Sequence, residues 1–244
     1  MEETVVTLEK AYDMASVENA YRQYSAECDC GMALVLARIN NIQKQLDILP
    51  ERNPIAYIES RVKTFGSVAR KCYRRGFVKE GEALTIDVIK EHVRDIAGIR
   101  VTTTFKDDVI RICDEITHQP GINVVEKKNY IDNPKPNGYS SFHLQIQVEI
   151  YSSAEQQSKL VPVEIQIRDR AQDLWATIEH IVAYKNQNKS PEAEKLFKRI
   201  ADTLDSFDQL AIELRDYQPE STSAKKSEKP SDKKTNKIFQ PKPT

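Results

Sequence analysis

Apolar positions along the chain follow two rhythms. In "FHLQIQVEIY", Leu144, Ile146, Val148 and Ile150 alternate with His143, Gln145, Gln147 and Glu149, the period of a strand with one dry and one wet face. "VPVEIQIR" repeats it, with Val163, Ile165 and Ile167 opposite Glu164, Gln166 and Arg168. "IAGIRVTTTF" and "INVVEKKNYI" are rich in β-branched residues and predict two more strands. The other rhythm is helical. "KDDVIRICDEITH" places Val109, Ile112, Cys113 and Ile116 on one face, and "LTIDVIKEHVRD" predicts a short helix capped by Thr85. Residues 3–49 predict a helical hairpin broken near Cys30-Gly31, with Leu34, Ile39, Ile42, Leu46 and Leu49 near helical spacing. "AYIESRVKTFGSVARKCYRRG" predicts another helix, weak at Gly66 and stopped at Gly76. Two further helices, "RAQDLWATIEHIVAYKN" and "PEAEKLFKRIADTLDSFDQLAIELRD", close the pattern. The elements describe an α+β fold with a mixed sheet and helical ends.

Composition changes this picture little. The chain has 244 residues, enough for one large domain or a domain with helical additions, and its 30% charged and 39% hydrophobic residues suit a soluble cytoplasmic protein. No apolar run is long enough to span a membrane, and "MEETVVTLEK" has no signal-peptide pattern. The pair Cys28 and Cys30 is spaced too tightly for a zinc knuckle, so the four cysteines read as reduced thiols. Charge is uneven. From Pro219 onward seven lysines face three acids, a formal +4, which leaves −5 on the rest of a chain whose total is −1. That tail has almost no apolar residues and is expected to be disordered, a solvated segment or an RNA contact.

Three places could carry chemistry. If the His143 and Glu164 strands are neighbours, one sheet face gathers His, Gln, Glu and Arg, although a wet sheet face is also an ordinary structural feature. Lys63, Ser67 and Lys71 recur every four residues with Arg61 and Arg70 nearby, a cationic helix stripe without interleaved acids that suits an anion such as a polyphosphate. Asp95 stands at the mouth of a strand, and with Glu164 it would supply hard oxygen ligands for Mg²⁺. There is no P-loop, GxGxxG or kinase signature, so a polyphosphate site must be built from side chains.

Taken in order, "NPIAYIESRVK", "SVARK", "DIAGIRV", "YIDNPKPNGYSSFH" and "VPVEIQIRDRAQDLWATIEHIVAYK" resemble the synthetase domain of RelA/SpoT-type alarmone synthetases, and the chain is similar to the stand-alone small alarmone synthetases. The resemblance implies a nucleotidyltransferase-like mixed sheet and transfer of pyrophosphate from ATP to the 3′-hydroxyl of GDP or GTP, with Mg²⁺ as cofactor. It implies ATP contacts from Arg61, Lys63, Ser67 and Lys71, and magnesium-binding, catalytic acids at Asp95 and Glu164. Lys128, Lys135, Asn137, Tyr139, His143 and Gln166 fall on the acceptor side, with Tyr139 stacking on the base. Trp175 is expected in the core and His180 as a supporting polar group.

The expected organisation is an N-terminal helical region (1–52), the synthetase domain (53–186), a C-terminal helix (187–218) and the lysine-rich tail (219–244). Small relatives form homotetramers through terminal helices, for which Leu196, Ile200, Leu204, Phe207 and Leu210 could serve, though packing within the chain explains that stripe equally well. None of the four histidines is followed by Asp, so synthesis without hydrolysis is expected. The chain departs from the family at "KTFGSV", Asn129, Ser140 and Asp169. Loss of an arginine at Ser140 leaves the acceptor open. A toxin-type relative acting on the tRNA 3′ end or on adenosine nucleotides, and a decayed nucleotide- or RNA-binding module, are the alternatives.

Overall fold

A computed structural model describes residues 2–79, 82–185 and 190–217. The lysine-rich tail expected over 219–244 lies outside the described residues. The first element is not a hairpin but one helix, α1 (Glu2–Asp47), unbroken at Cys30-Gly31. Gly31 is there for closeness rather than for a break: a Cβ on it would overlap a methyl of Val161. Its buried stripe runs Tyr21, Tyr24, Cys28, Met32, Val35, Ile39, Ile42 and Leu46, while Leu34 and Leu49, expected on it, are exposed.

A second correction follows. Residues 56–76 are not one helix: β1 (Ile55–Val62) precedes a shorter helix, α2 (Phe65–Arg74). Tyr57, Glu59 and Arg61 alternate with Ile58, Ser60 and Val62, and the strand period outweighs the helix-forming Glu and Arg within it. The helix does end as expected, with Gly76 at φ 69° just beyond it.

The remaining elements follow the sequence. They are α3 (Ile86–His92), β2 (Ala97–Thr103), α4 (Asp108–Thr117), β3 (Asn123–Asn129), β4 (Phe142–Ser152), β5 (Gln157–Asp169), α5 (Arg170–Lys185) and α6 (Pro191–Asp216). The Thr85 hydroxyl accepts from Val88 N and caps α3. The strands form one mixed sheet of five, in the order β1-β2-β5-β4-β3, with only β2 and β5 parallel. Its dry face, which includes Ile99, Val101, Leu144, Ile146, Ile165 and Ile167, is covered by α1 and α4. The other face carries the polar half of each alternation.

At one end of the sheet α6 lies on α5, with Trp175 Nε1 donating to Phe197 O at 3.0 Å and both rings buried. There Asp208 (6% exposed) sits beside Asp169 (0% exposed), with Lys106 bound to Asp205 close by. Burial pushes the Asp208 carboxyl up to about 7; the charges of Asp169 and Asp205 act the same way, and Lys106 opposes them. An unfolded Asp titrates near ~4, so the folded state holds this proton more tightly. The stability it contributes is full below about pH 4, is lost as pH rises towards about 7, and changes little above that. Asp208→Asn removes the penalty. The variant is expected to melt about 2–4 °C above the parent at pH 8 and level with it below pH 4, as read from thermal melts across pH.

Candidate functional site

The sheet register gathers the polar residues in two rungs. One runs Glu59, Arg100, Gln166, His143, Lys128 across all five strands; the next runs Arg61, Gly98, Glu164, Gln145, Glu126. In the second rung Gly98 has no side chain to fill the gap between Arg61 and Glu164. A Cβ there would find its nearest neighbour, Arg61 O, at 4.0 Å. The gap belongs to a cavity of about 230 Å³ lined by Glu59, Arg61, Lys63, Asp95, Arg100, Glu164 and Gln166 among others.

Lys63 and Lys71 do not share a helix stripe, because Lys63 follows β1 and only Lys71 lies on α2. They converge nonetheless. Lys63 Nζ donates to Asp95 Oδ2 and Lys71 Nζ to Asp95 Oδ1, both at 2.7 Å, and Lys63 also reaches Asp95 O at 2.9 Å. The Lys63 backbone is fixed by Tyr21 of α1, whose hydroxyl donates to Lys63 O at 2.5 Å. Burial alone would push the Asp95 carboxyl up. The hydrogen bonds and charges of the two lysines outweigh it and hold the group below its ordinary value.

Glu164 is held from both sides. Gln145 Nε2 donates to Oε1 at 3.0 Å and Gln166 Nε2 to Oε2 at 2.8 Å, while His143 Nδ1 lies 3.4 Å from Oε1. Burial acts to raise this carboxyl too. His143 and Gln166 together pull it below its ordinary value against the opposing charge of Asp95. The two acids therefore feel each other's charge across one cavity. Among the described residues no three His, Cys, Asp or Glu are arranged to hold a metal by themselves. A divalent ion here would have two carboxylates and would take its other ligands from elsewhere.

An aromatic cluster adjoins the first rung. Tyr139 OH and His143 Nε2 are 2.8 Å apart, and the Tyr139 ring stands edge-on to Tyr130, His143 and Trp175. Lys135 Nζ lies over the rings of Tyr139 and Tyr130, at 4.7 and 4.8 Å from their centroids. Asn137 Oδ1 accepts from Tyr139 N at 3.2 Å, which shapes the turn. Gly138 has φ 89°, and a Cβ on it would overlap Ala201 Cβ of α6, so the loop rests directly on that helix.

Of the expected site residues, Arg61, Lys63, Asp95, Glu164 and Gln166 line the cavity; Lys71 reaches its Asp95 and His143 its Glu164, and Lys135, Asn137 and Tyr139 belong to the adjoining aromatic cluster, while Ser67 and Lys128 touch neither acid. Ser67 lines a basic groove with Arg70, Lys71, Arg74 and His180, and Lys128 pairs with Glu126 at 3.0 Å on the edge strand. Trp175 is in the core, as expected, and His180 is exposed. Residues that the sequence reading left out are Glu59, Gly98 and Arg100 in the cavity and Tyr130 beside Tyr139. The signal for Glu59 was the alternation hidden in the stretch read as helix. For Tyr130 there was no local signal, because its partners are set by the pairing of β3 with β4.

Three of the family departures have local explanations. Asn129 Oδ1 accepts from Ile131 N and Asp132 N, and its Nδ2 donates to Asp132 Oδ2 at 2.7 Å; an aspartate there would repel Asp132. Ser140 and Asp169 meet through Gln172, which donates Nε2 to Ser140 Oγ at 3.1 Å and its backbone N to Asp169 Oδ1 at 2.8 Å.

Residues 60–189 match the family profile described as "Region found in RelA / SpoT proteins". The chain belongs to the RelA/SpoT family. Among its RelA/SpoT relatives, GTP pyrophosphokinase YwaC of Bacillus subtilis (strain 168) is 36% identical over 151 residues, 62% of this chain and 69% of the relative. GTP pyrophosphokinase YjbM of the same strain is 30% identical over 188 residues, 77% and 84% of the two chains. The structure of small alarmone synthetase 1 from Bacillus subtilis, bound to its product pppGpp, superposes with a TM-score of 0.70 at 25% identity, covering 80% of this chain and 96% of that one. The mixed α+β architecture is thus that of a small alarmone synthetase.

The depressed Asp95 carboxyl gives a direct test of the lysine grip. Its contribution to stability is present above the ordinary carboxylate value and is lost only as pH falls through the lower folded value. In Lys71→Met the balance shifts towards burial. The Asp95 titration, followed by carbon-13 NMR of its carboxyl, is expected to move to higher pH, and an unmoved midpoint would refute the assignment.

Proposed function

We propose that this protein is a (p)ppGpp synthetase that transfers pyrophosphate from ATP to the 3′-hydroxyl of GDP or GTP. The observation that carries the reading is the meeting of Asp95 and Glu164 at one cavity that also holds Arg61, Lys63 and Arg100, next to the Tyr139–His143 cluster. A polyphosphate needs the cations, and a nucleobase needs a flat ring. The names of the relatives, GTP pyrophosphokinases, support the same reaction.

In this reading Arg61, Lys63 and Lys71 bind the ATP phosphates, with Ser67 on the rim. Lys135, Asn137 and Tyr139 hold the acceptor, with Lys135 leaving the Tyr139 ring when a base stacks there. His143 and Gln166 steady Glu164, and Lys128 adds positive charge at the edge. The 3′-oxygen attacks the β-phosphorus of ATP and its proton passes to the Glu164 carboxylate. The bond from that phosphorus to the α,β-bridging oxygen breaks, and AMP leaves with the electron pair. Such a transfer is mostly positioning and charge neutralisation. The hard oxygens of Asp95 and Glu164 fit Mg²⁺, which binds to one or two carboxylates together with substrate phosphates. When bound, it supplies neutralising charge at the β- and γ-phosphates.

The synthetase domain is assigned to 53–186, with the protein acting in the cytoplasm in synthesis only. Among the described residues no helix is long and apolar enough to cross a membrane. On α6, Leu196, Phe207, Leu210 and Leu214 are all more than half exposed, while Ile200 and Leu204 are partly covered. This face is assigned to self-association, with a homotetramer expected. An RNA contact belongs to the alternative reading, and its test is the tRNA arm below.

Purified protein with Mg²⁺ and γ-labelled ATP is expected to label GTP or GDP. Label on deacylated tRNA or ATP alone would replace this acceptor, and no label on any acceptor would remove the enzyme reading. Glu164→Gln is expected to lower turnover by at least ~100-fold with an unchanged melting temperature. Phe207→Asp is expected to reduce the mass measured by light scattering; an unchanged mass would exclude the α6 face.

A further inference from the structure

Gln145 lies on the wet face of β4 directly opposite Glu164. Its amide has one oxygen and one nitrogen to place, and a carboxylate can only accept, so the nitrogen must face Glu164 Oε1, where it stands at 3.0 Å. The orientation of the oxygen is then decided. Gln145 Oε1 is closed off from solvent and has no hydrogen-bond partner. A buried acceptor without a donor is costly, and an orphan of this kind beside a reacting group calls for an explanation. Gln166, the other amide on Glu164, has no such orphan. Gln145 also borders a second cavity, of about 300 Å³, with Gln147, Arg94 and Leu160. The cavity that holds Glu164 is lined by Gln166 and not by Gln145, so a ligand at Glu164 must open this part of the face to supply the missing donor.

We infer that Gln145 is a specificity residue for the acceptor sugar: its N–H holds Glu164, and its carbonyl oxygen accepts the 2′-hydroxyl of a ribonucleotide. The inference rests on the acceptor reading above. A 3′-hydroxyl brought to Glu164 carries its 2′-neighbour on the adjacent carbon. Of the two amides on Glu164, Gln145 is the one whose acceptor oxygen is buried and without a partner. A 2′-deoxyribose leaves that oxygen orphaned.

The test compares kcat/KM for GTP and 2′-deoxyGTP with saturating ATP and Mg²⁺. The parent protein is expected to prefer GTP by about five- to tenfold, the effect of one hydrogen bond. Gln145→Met, similar in length and without polar atoms, is expected to bring that ratio below about twofold. Gln145→Glu separates the two roles. It keeps an acceptor oxygen and so is expected to retain the sugar preference, but it loses the N–H that holds Glu164 and lowers turnover on both sugars. Transfer to both sugars at equal efficiency by the parent, a preference retained in Gln145→Met, or a preference lost in Gln145→Glu would overturn the inference while leaving the synthetase reading intact. No transfer to GTP at all would overturn both.

Discussion

The grip of two ammonium groups on one half-buried carboxylate organises this site. Asp95 precedes β2, Lys63 follows β1 and Lys71 rides on α2, so three segments of chain are tied at one point. Without the lysines, burial would favour a neutral acid. With them the acid stays charged, and the lysines in turn stay at the mouth of the cavity. The tie extends to the core, since Tyr21 of α1 holds the backbone of Lys63. Electrostatics here does structural work that also leaves cations in place for an anionic ligand.

The sheet supplies the rest by simple alternation. Every second residue of β1, β2, β5, β4 and β3 faces one side, and register turns five separate strands into two continuous polar rungs. A gap at Gly98 makes room within a rung, and the amides of Gln145 and Gln166 hold the acid next to it. The second carboxylate is thus oriented by neutral donors, where the first is held by charge.

Much of this was legible in the sequence, for a definite reason. Strand alternation is a local signal, so β4 and β5 and their polar faces could be read directly, whereas the approach of Asp95 to Glu164 depends on the parallel pairing of β2 with β5, which local sequence does not carry. The misreadings also have causes. Glu59 and Arg61 are good helix formers, and they disguised β1 as the start of α2. Gly31 looked like a helix breaker because a close contact with Val161 leaves no trace in local sequence. Arg100 and Tyr130 could be seen as residues but not as neighbours, since their partners Glu59 and Tyr139 come from other strands and loops.

Gly138 and Ala201 lie 63 positions apart in the chain, yet they touch so closely that neither can grow. The loop bearing Lys135 and Tyr139 is in effect cast against α6. A fragment ending near residue 186 would keep every polar residue of the two rungs and lose the mould for this loop. Chimeras that exchange the loop between relatives would need to carry α6 with it, and the smallest transplantable unit is larger than the stretch of chain that holds the chemistry.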